Sequence, residues 1–489
     1  MIPPYLGSLL GSLLLLLAGG QLLPGVVALI YDELYLFPSF LFSALLTAFA
    51  GGALFVSLRD VPRKFRKQEA ILLLVCVWLI LPLFACVPFM TTGVLTRFTD
   101  AYFETMSALT TTGSSVITPI ELMPQTILFW RSLLQWIGGI MVFIMAISIM
   151  PMIALGGMDL FYSVLPHGEG EGLTGRVKSA FFPLVLIYTI LTFACAGLLW
   201  ASGLPLFESL CDAMATLSTG GFSTRDGSIA SLHNHWAEMA LIPFMIIAST
   251  NMTFHWGFWA QGKLKVYKRD PEWRYFSVTI ILSTVLVFIA FLVANSSDMG
   301  DGSWGGDFRN ALFIVISAIS TTGFVPDEIG QLPLAVIFIL LVLVVIGGGS
   351  GSTAGGLKMM RLKLLMRHSN REVLRLSYPS GVVPIHYAQH VVPNDTLASI
   401  WGIFYIFLSA IAVVTIILGA LGFDFQTALS LAVTNICNAG PLIQILAPDF
   451  AGYASLSLPV KWLMTAAMVV GRLEIVMILL LFTPAFWKN

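Results

Sequence analysis

Long apolar runs, most of about 20 residues, recur near positions 7–30, 38–58, 70–90, 125–150, 180–203, 237–260, 276–294, 333–346, 397–421 and 460–483. A helix of that length covers ~30 Å, the thickness of a bilayer's hydrocarbon core. The pattern predicts ten membrane crossings. Composition agrees: 57% of the 489 residues are hydrophobic and 10% charged, against about a quarter charged in globular domains. The first run lacks a basic leader and a second follows at once, so it does not read as a cleaved signal peptide. With 25 Lys+Arg against 26 Asp+Glu, the chain offers no basic excess for nucleic acid. Cys76, Cys86, Cys195, Cys211 and Cys437 stand alone in apolar stretches, without metal-ligand spacing, and read as packing residues.

The basic residues sort by loop. Arg59, Arg63, Lys64, Arg66, Lys67, Arg176, Lys178, Lys263, Lys265, Lys268, Arg269, Arg274, Lys358, Arg361, Lys363, Arg367, Arg371, Arg375 and Lys488 fall on one side. Arg97, Arg131, Arg225, Arg309 and Lys461 fall on the other, and Arg472 is then the one basic residue within a span. The positive-inside rule predicts that both termini and the basic loops are cytoplasmic.

On the outer side lie short segments that are too glycine-rich to cross: ALTTTGSSV (108–116), TLSTGGFST (216–224), AISTTGFVP (318–326) and NICNAGPLI (435–443). Placing Gly113, Gly220, Gly323 and Gly440 in register gives intervals of 107, 103 and 117 residues. Phe98, Phe308 and Phe425 then precede their glycine by fifteen residues, and Ala101, Ala311 and Ala428 by twelve. Repetition at a near-fixed period means repeated structural units. The division is 1–68 for two leading spans, then units at 69–158, 159–272, 273–378 and 379–489.

Each unit reads as span, half-length helix, Thr/Gly loop, span. An acid near each short helix's start (Asp100, Glu208, Asp307, Asp424) suits the positive end of its dipole. The partly negative end then points toward the membrane centre, where it favours a cation. Non-helical backbone at that depth must lie in protein or beside water. Four such loops around one axis supply carbonyl oxygens that replace a monovalent cation's hydration shell. One T-T-G is an ordinary turn; four in register on one side are not. The predicted fold is an all-α polytopic membrane protein with four M1–pore helix–M2 units around one ion pore. The candidate filter residues are Thr111, Thr112, Gly113, Thr219, Gly220, Gly221, Thr321, Thr322, Gly323, Asn438, Ala439 and Gly440.

On these motifs, with Gly-Ser-Thr-Ala-Gly-Gly-Leu-Lys (351–358) and Gly-Arg-Leu-Glu-Ile (471–475), the chain resembles the Trk/Ktr/HKT superfamily of potassium transporters, most closely its TrkH branch. The resemblance covers essentially the whole chain. It implies passage of potassium, in some members with sodium, through one ring of filter carbonyls in a bacterial inner membrane. It also implies a homodimer and a cytoplasmic ring of nucleotide-binding regulatory subunits of the TrkA type. The fourth loop departs from the others, with Asn438-Ala439 where they have hydroxyl residues. The potassium ion is cargo; no cofactor is expected, and no ATP-binding motif is present.

The span from 333 breaks at Gly347, Gly348, Gly349, Ser350, Gly351, Ser352, Thr353, Ala354, Gly355 and Gly356. A phosphate loop would need G-x-x-x-x-G-K-[ST] between a soluble strand and helix; here Lys358 follows Leu357 and the flanks are apolar. Each glycine costs a helix ~1 kcal/mol relative to alanine, so the segment is expected to unwind under the filter as an intramembrane gate that includes Lys358. Arg472, about twelve residues from either end of its span, is too deep to reach water easily. Its two readings are an ion pair with a distant carboxylate, or a positive charge beside the pore; the resemblance supports the second. Two other classes compete. An alternating-access carrier coupled to sodium or protons also uses broken helices, but commonly in two inverted halves. A membrane enzyme needs convergent acid–base or metal residues, and the seven histidines form no such array.

Overall fold

A computed structural model of the chain describes residues 4–58, 67–148, 173–252, 255, 271–293, 304–326, 332–379, 381, 383–387, 390–473, 475–481 and 483–484. The basic segments 59–66 and 256–270, together with Glu474 and Lys488, lie outside the described residues, so the expectations placed on them have no structural counterpart.

The apolar runs form helices Pro4–Ile30, Phe37–Ser57, Lys67–Ala85, Gln125–Ser148, Leu173–Ala201, His235–Ala248, Pro271–Val293, Leu334–Ile346, Asn394–Ala420 and Leu458–Leu473, the last followed by Ile475–Leu481. Among the described residues, seven helical stretches are each long and apolar enough to cross a membrane. Leu334–Ile346, at 13 residues, stops where the glycine stretch begins. The first two helices lie side by side in near backbone contact. A Cβ added to Gly11 would sit 2.7 Å from Gly51 O and Phe55 N, the small-residue packing that membrane helices favour.

The four half-length helices are Phe98–Leu109, Leu206–Leu217, Trp304–Ile319 and Phe425–Ile436. Three of them have twelve residues and reach ~18 Å, about half the hydrocarbon core, while Trp304–Ile319 has sixteen. They are sheathed in protein: every residue from Ala101 to Leu109 is buried. Asp100, Glu208 and Asp307 stand in first turns, while Asp424 caps its helix by accepting from Thr427 N at 3.0 Å.

Each short helix packs between the spans of its own unit and against the second span of the unit before it. The second touches Gln125–Ser148, the third His235–Ala248, the fourth Leu334–Ile346, and the first Leu458–Leu473 of the last unit. The chain therefore closes a four-membered ring in sequence order. Beyond the glycine stretch, the amphipathic helix Met359–Ser377 buries Arg361, Lys363 and Arg371, which removes them from any docking surface. Lys363 Nζ lies over the Tyr275 ring, 4.4 Å from its centroid. A two-stranded hairpin pairs His386–Tyr387 with His390–Val391.

Candidate ion pathway

All four short helices end in the same turn. The residue two past the helix is left-handed: Thr111 (φ 53°), Thr219 (54°), Thr321 (56°) and Asn438 (53°). The next amide then reaches back to a carbonyl five residues earlier. These bonds are Thr112 N to Ser107 O (2.8 Å), Gly220 N to Ala215 O (2.8 Å), Thr322 N to Ser317 O (3.1 Å) and Ala439 N to Thr434 O (2.7 Å). A helix cap of this kind normally uses glycine, and a β-branched residue there costs of order 1–3 kcal/mol. Tertiary packing has to hold it.

This turn corrects the register read from sequence. Gly221 (φ 70°), not Gly220, is the counterpart of Gly113 (φ 82°) and Gly323 (φ 87°). Gly220 instead matches Thr112, Thr322 and Ala439. The corrected intervals are 108, 102 and 117 residues, and Leu206 and Ser209 take the places that Phe98 and Ala101 hold in the first unit. Adjacent glycines make either alignment possible from sequence; the backbone conformation decides.

The loops touch in ring order. A Cβ on Gly113 would overlap Gly220 O, and one on Gly221 would overlap Thr322 O. Gly440 N donates to Thr112 O at 2.7 Å, joining the fourth loop to the first. Glycine at 113 and 221 is thus required twice, by its φ and by the neighbouring loop's backbone.

Hydroxyls brace the loops. Thr110 Oγ1 lies 2.7 Å from Thr112 Oγ1, and Ser320 Oγ lies 2.8 Å from Thr322 Oγ1. Asn438 does a hydroxyl's work from the fourth loop: its Nδ2 donates to Thr112 Oγ1 at 2.8 Å and to Met468 O at 3.2 Å. Gln135 bridges the second loop, donating to Gly220 O at 2.8 Å and accepting from Phe222 N at 3.2 Å.

Beneath the ring, the glycine stretch forms a loop with a neck and a head. At the neck, Leu357 N bonds Val345 O (2.9 Å), Lys358 N bonds Ile346 O (3.0 Å) and Met359 N bonds Gly348 O (3.0 Å). Glu272 Oε1 clasps this neck, accepting from Ser350 N (2.9 Å), Ser350 Oγ (3.2 Å) and Met360 N (3.0 Å). Lys358 Nζ folds back onto Ala354 O and Ser352 O. The head reaches the turns that end the short helices. Thr353 Oγ1 donates to Leu217 O (3.3 Å) and Ala248 O (3.1 Å), and Gly355 N donates to Thr321 Oγ1 (2.7 Å). A Cβ on Gly355 would run into Cys437 O, just past the end of the fourth short helix. These glycines break the helix, as the sequence implies, and they also let backbone lie directly on backbone.

Arg472 joins the two parts. Its Nε donates to Thr110 O (2.8 Å), Nη1 to Thr353 O (2.7 Å) and Nη2 to Thr111 Oγ1. It is 5% exposed, and no carboxylate among the described residues pairs with it. A positive charge therefore sits directly under the first of the four turns, held by three neutral oxygens.

The expectation that Arg472 is the one basic residue within a span is wrong. Arg131, inside Gln125–Ser148, is 1% exposed; its Nε meets Glu104 Oε1 at 2.8 Å, and its guanidinium caps the Phe222 ring at 4.1 Å. Lys461, also buried, meets Asp100 at 2.7 Å, pinning the last unit to the first short helix. Sequence reasoning also missed Glu272, Gln135 and Asp212. Asp212 is fully buried, and neither carboxyl oxygen has a hydrogen-bond partner among the described residues. For Gln135 and Asp212 the available signal was an amide or acid inside an apolar segment, which needs a reason to be there; Glu272 precedes the apolar run in a charged stretch and carried no such signal.

A sequence profile described as "TrkH: Cation transport protein" matches residues 38–489. Two curated proteins named "Trk system potassium uptake protein TrkH" are each 34% identical over 98% of both chains: one from Salmonella typhimurium over 485 residues, one from Escherichia coli K12 over 488. The crystal structure of the potassium transporter TrkH from Vibrio parahaemolyticus superimposes with a TM-score of 0.90 at 31% identity, covering 100% of both chains. With a multi-pass helical fold, four inward loops and this extent of similarity, the chain belongs to the TrkH family of cation transport proteins.

Proposed function

We propose that this protein takes up potassium through a channel-like pore, with the filter formed by residues 111–113, 219–221, 321–323 and 438–440. The observation that carries the reading is the closed ring of four equivalent turns, each at the C-terminal end of a half-length helix. Helix C-termini and backbone carbonyls both favour a dehydrated cation. A carbonyl has two lone pairs, so Thr112 O and Gly220 O, each already holding one protein donor, keep capacity for an ion.

The loop from Gly347 to Lys358 is the gate, and Arg472 sets the electrostatic barrier below the filter. This reading is supported by the direct bonds from Thr353, Gly355 and Arg472 to the filter turns. Opening breaks the head contacts while the Glu272-clasped neck acts as the hinge. The relatives named as potassium uptake proteins support potassium as the cargo.

Termini on the cytoplasmic side follow from the basic-loop bias, and the four units keep the boundaries read from sequence. The cytoplasmic helix Met359–Ser377 exposes Met366, Val373, Leu374 and Leu376, the last at 83%. Such an apolar edge fits a second copy of the chain, in line with a homodimer. A nucleotide-binding regulatory ring docks on the remaining basic inner surface.

The test is rubidium or potassium uptake into proteoliposomes, with sodium as competitor. Uptake that saturates, prefers potassium and is abolished by Gly323→Ala is expected. Undiminished uptake in that variant, at wild-type folding, would remove the filter assignment.

A further inference from the structure

The fourth loop does not repeat the path of the other three. After Gly113, Gly221 and Gly323 the backbone runs on without regular structure, whereas Gly440 starts a 3-10 turn, Gly440–Leu442, that leads into the short helix Ile443–Leu446. Gly440 also lacks the positive φ of its three counterparts. The turn swings the next residue, Pro441, inward.

The other three glycines converge on its ring. A Cβ on Gly113 would lie 2.8 Å from Pro441 Cδ and Cγ, one on Gly221 would lie 3.0 Å from Cγ, and one on Gly323 would lie 2.9 Å from Cδ. Loops arriving from three sides of a ring can all abut one residue only if it stands near the middle. Pro441 is buried there. It is held by Gly440 N bonding Thr112 O (2.7 Å) and Leu442 N bonding Ala439 O (3.2 Å). Gln426 Nε2 steadies the following helix through Leu446 O at 2.8 Å.

We propose that Pro441 is the constriction of the permeation path at the filter ring, and that it sets both the conduction rate and the discrimination between potassium and sodium. The inference rests on the reading that ions pass through this ring. A pyrrolidine ring offers a passing cation no oxygen and no N–H, so it forms an apolar restriction among oxygen ligands. An ion squeezing past it sheds water without an exchange ligand on that side. Sodium, the more strongly hydrated ion, is penalised more. The three glycines also acquire a shared purpose, since any side chain there would collide with the proline.

The experiment is rubidium uptake by proteoliposomes carrying Pro441→Ala or Pro441→Gly, with sodium titrated as competitor. The expected result is a rate increase on the order of threefold to tenfold, with sodium competing at lower concentration; tenfold corresponds to ~1.4 kcal/mol of barrier. Variants that melt like the wild type and keep both its rate and its sodium sensitivity overturn the proposal. Should the small variants fail to assemble, Pro441→Leu decides: slower uptake supports the constriction, and wild-type uptake overturns it. Gly323→Ala, run alongside, separates the two levels. If it abolishes uptake while the Pro441 variants behave as wild type, the ring stands and the constriction falls. If uptake survives Gly323→Ala, the ring itself falls.

Discussion

Replacing Arg472 separates two effects combined in one side chain: a charge under the proposed filter, and a strut between the first turn and the glycine-rich loop proposed as the gate. For an ion in the ring and a guanidinium roughly 8 Å away, with an effective dielectric of about 20, the repulsion is ~2 kcal/mol. That corresponds to a rate change of about thirtyfold. Arg472→Ala is therefore expected to raise potassium influx by one to two orders of magnitude and to weaken rectification. The strut has its own cost. Without the guanidinium, Thr110 O and Thr353 O lose their bonds at 2.8 and 2.7 Å, and each buried acceptor left unmet costs about 1–3 kcal/mol. Arg472→Lys keeps the charge but loses the planar fork. Single-channel recording in planar bilayers, with melting temperature measured in parallel, tells them apart. If lysine restores the wild-type current, the charge dominates; if it behaves like alanine, the strut does. Wild-type current and rectification in Arg472→Ala would refute the assignment altogether.

Two further outcomes follow from named contacts. Glu272→Gln weakens the clasp on Ser350 and Met360 by about 1–3 kcal/mol, so hydrogen exchange across 348–360 should accelerate and basal uptake should rise; unchanged exchange would separate Glu272 from the loop's stability. Glu104→Ala strands Arg131 in a buried site and should destabilise the protein by about 3–5 kcal/mol, whereas Glu104→Ala combined with Arg131→Met should recover much of that loss; equal melting of single and double variants would contradict a buried pair.

The segments best read from sequence are those whose physics is local. A span shows itself by twenty apolar residues, and a pore helix by half that length with an acid at its start, as at Asp100 and Asp424. A broken helix shows itself by six glycines in ten positions, 347–356. The second loop's register was not legible, because Gly220 and Gly221 are identical in sequence and differ in backbone conformation. Left-handed Thr111, Thr219 and Thr321 contradict their own propensity, which neighbouring loops override. Arg131 reads as a loop charge until Glu104 is placed beside it.

Periodicity and charge bias alone thus determined a multi-pass bundle, four re-entrant helices and the residue groups at their ends, because a bilayer penalises any polar backbone that is not paired locally. Tertiary structure decided how those groups meet. Asn438 reaches Thr112, Arg472 reaches Thr110, and Pro441 enters a ring of three glycines, across separations of more than a hundred residues. Such contacts depend on the order in which the units close around the axis, and no local pattern encodes that.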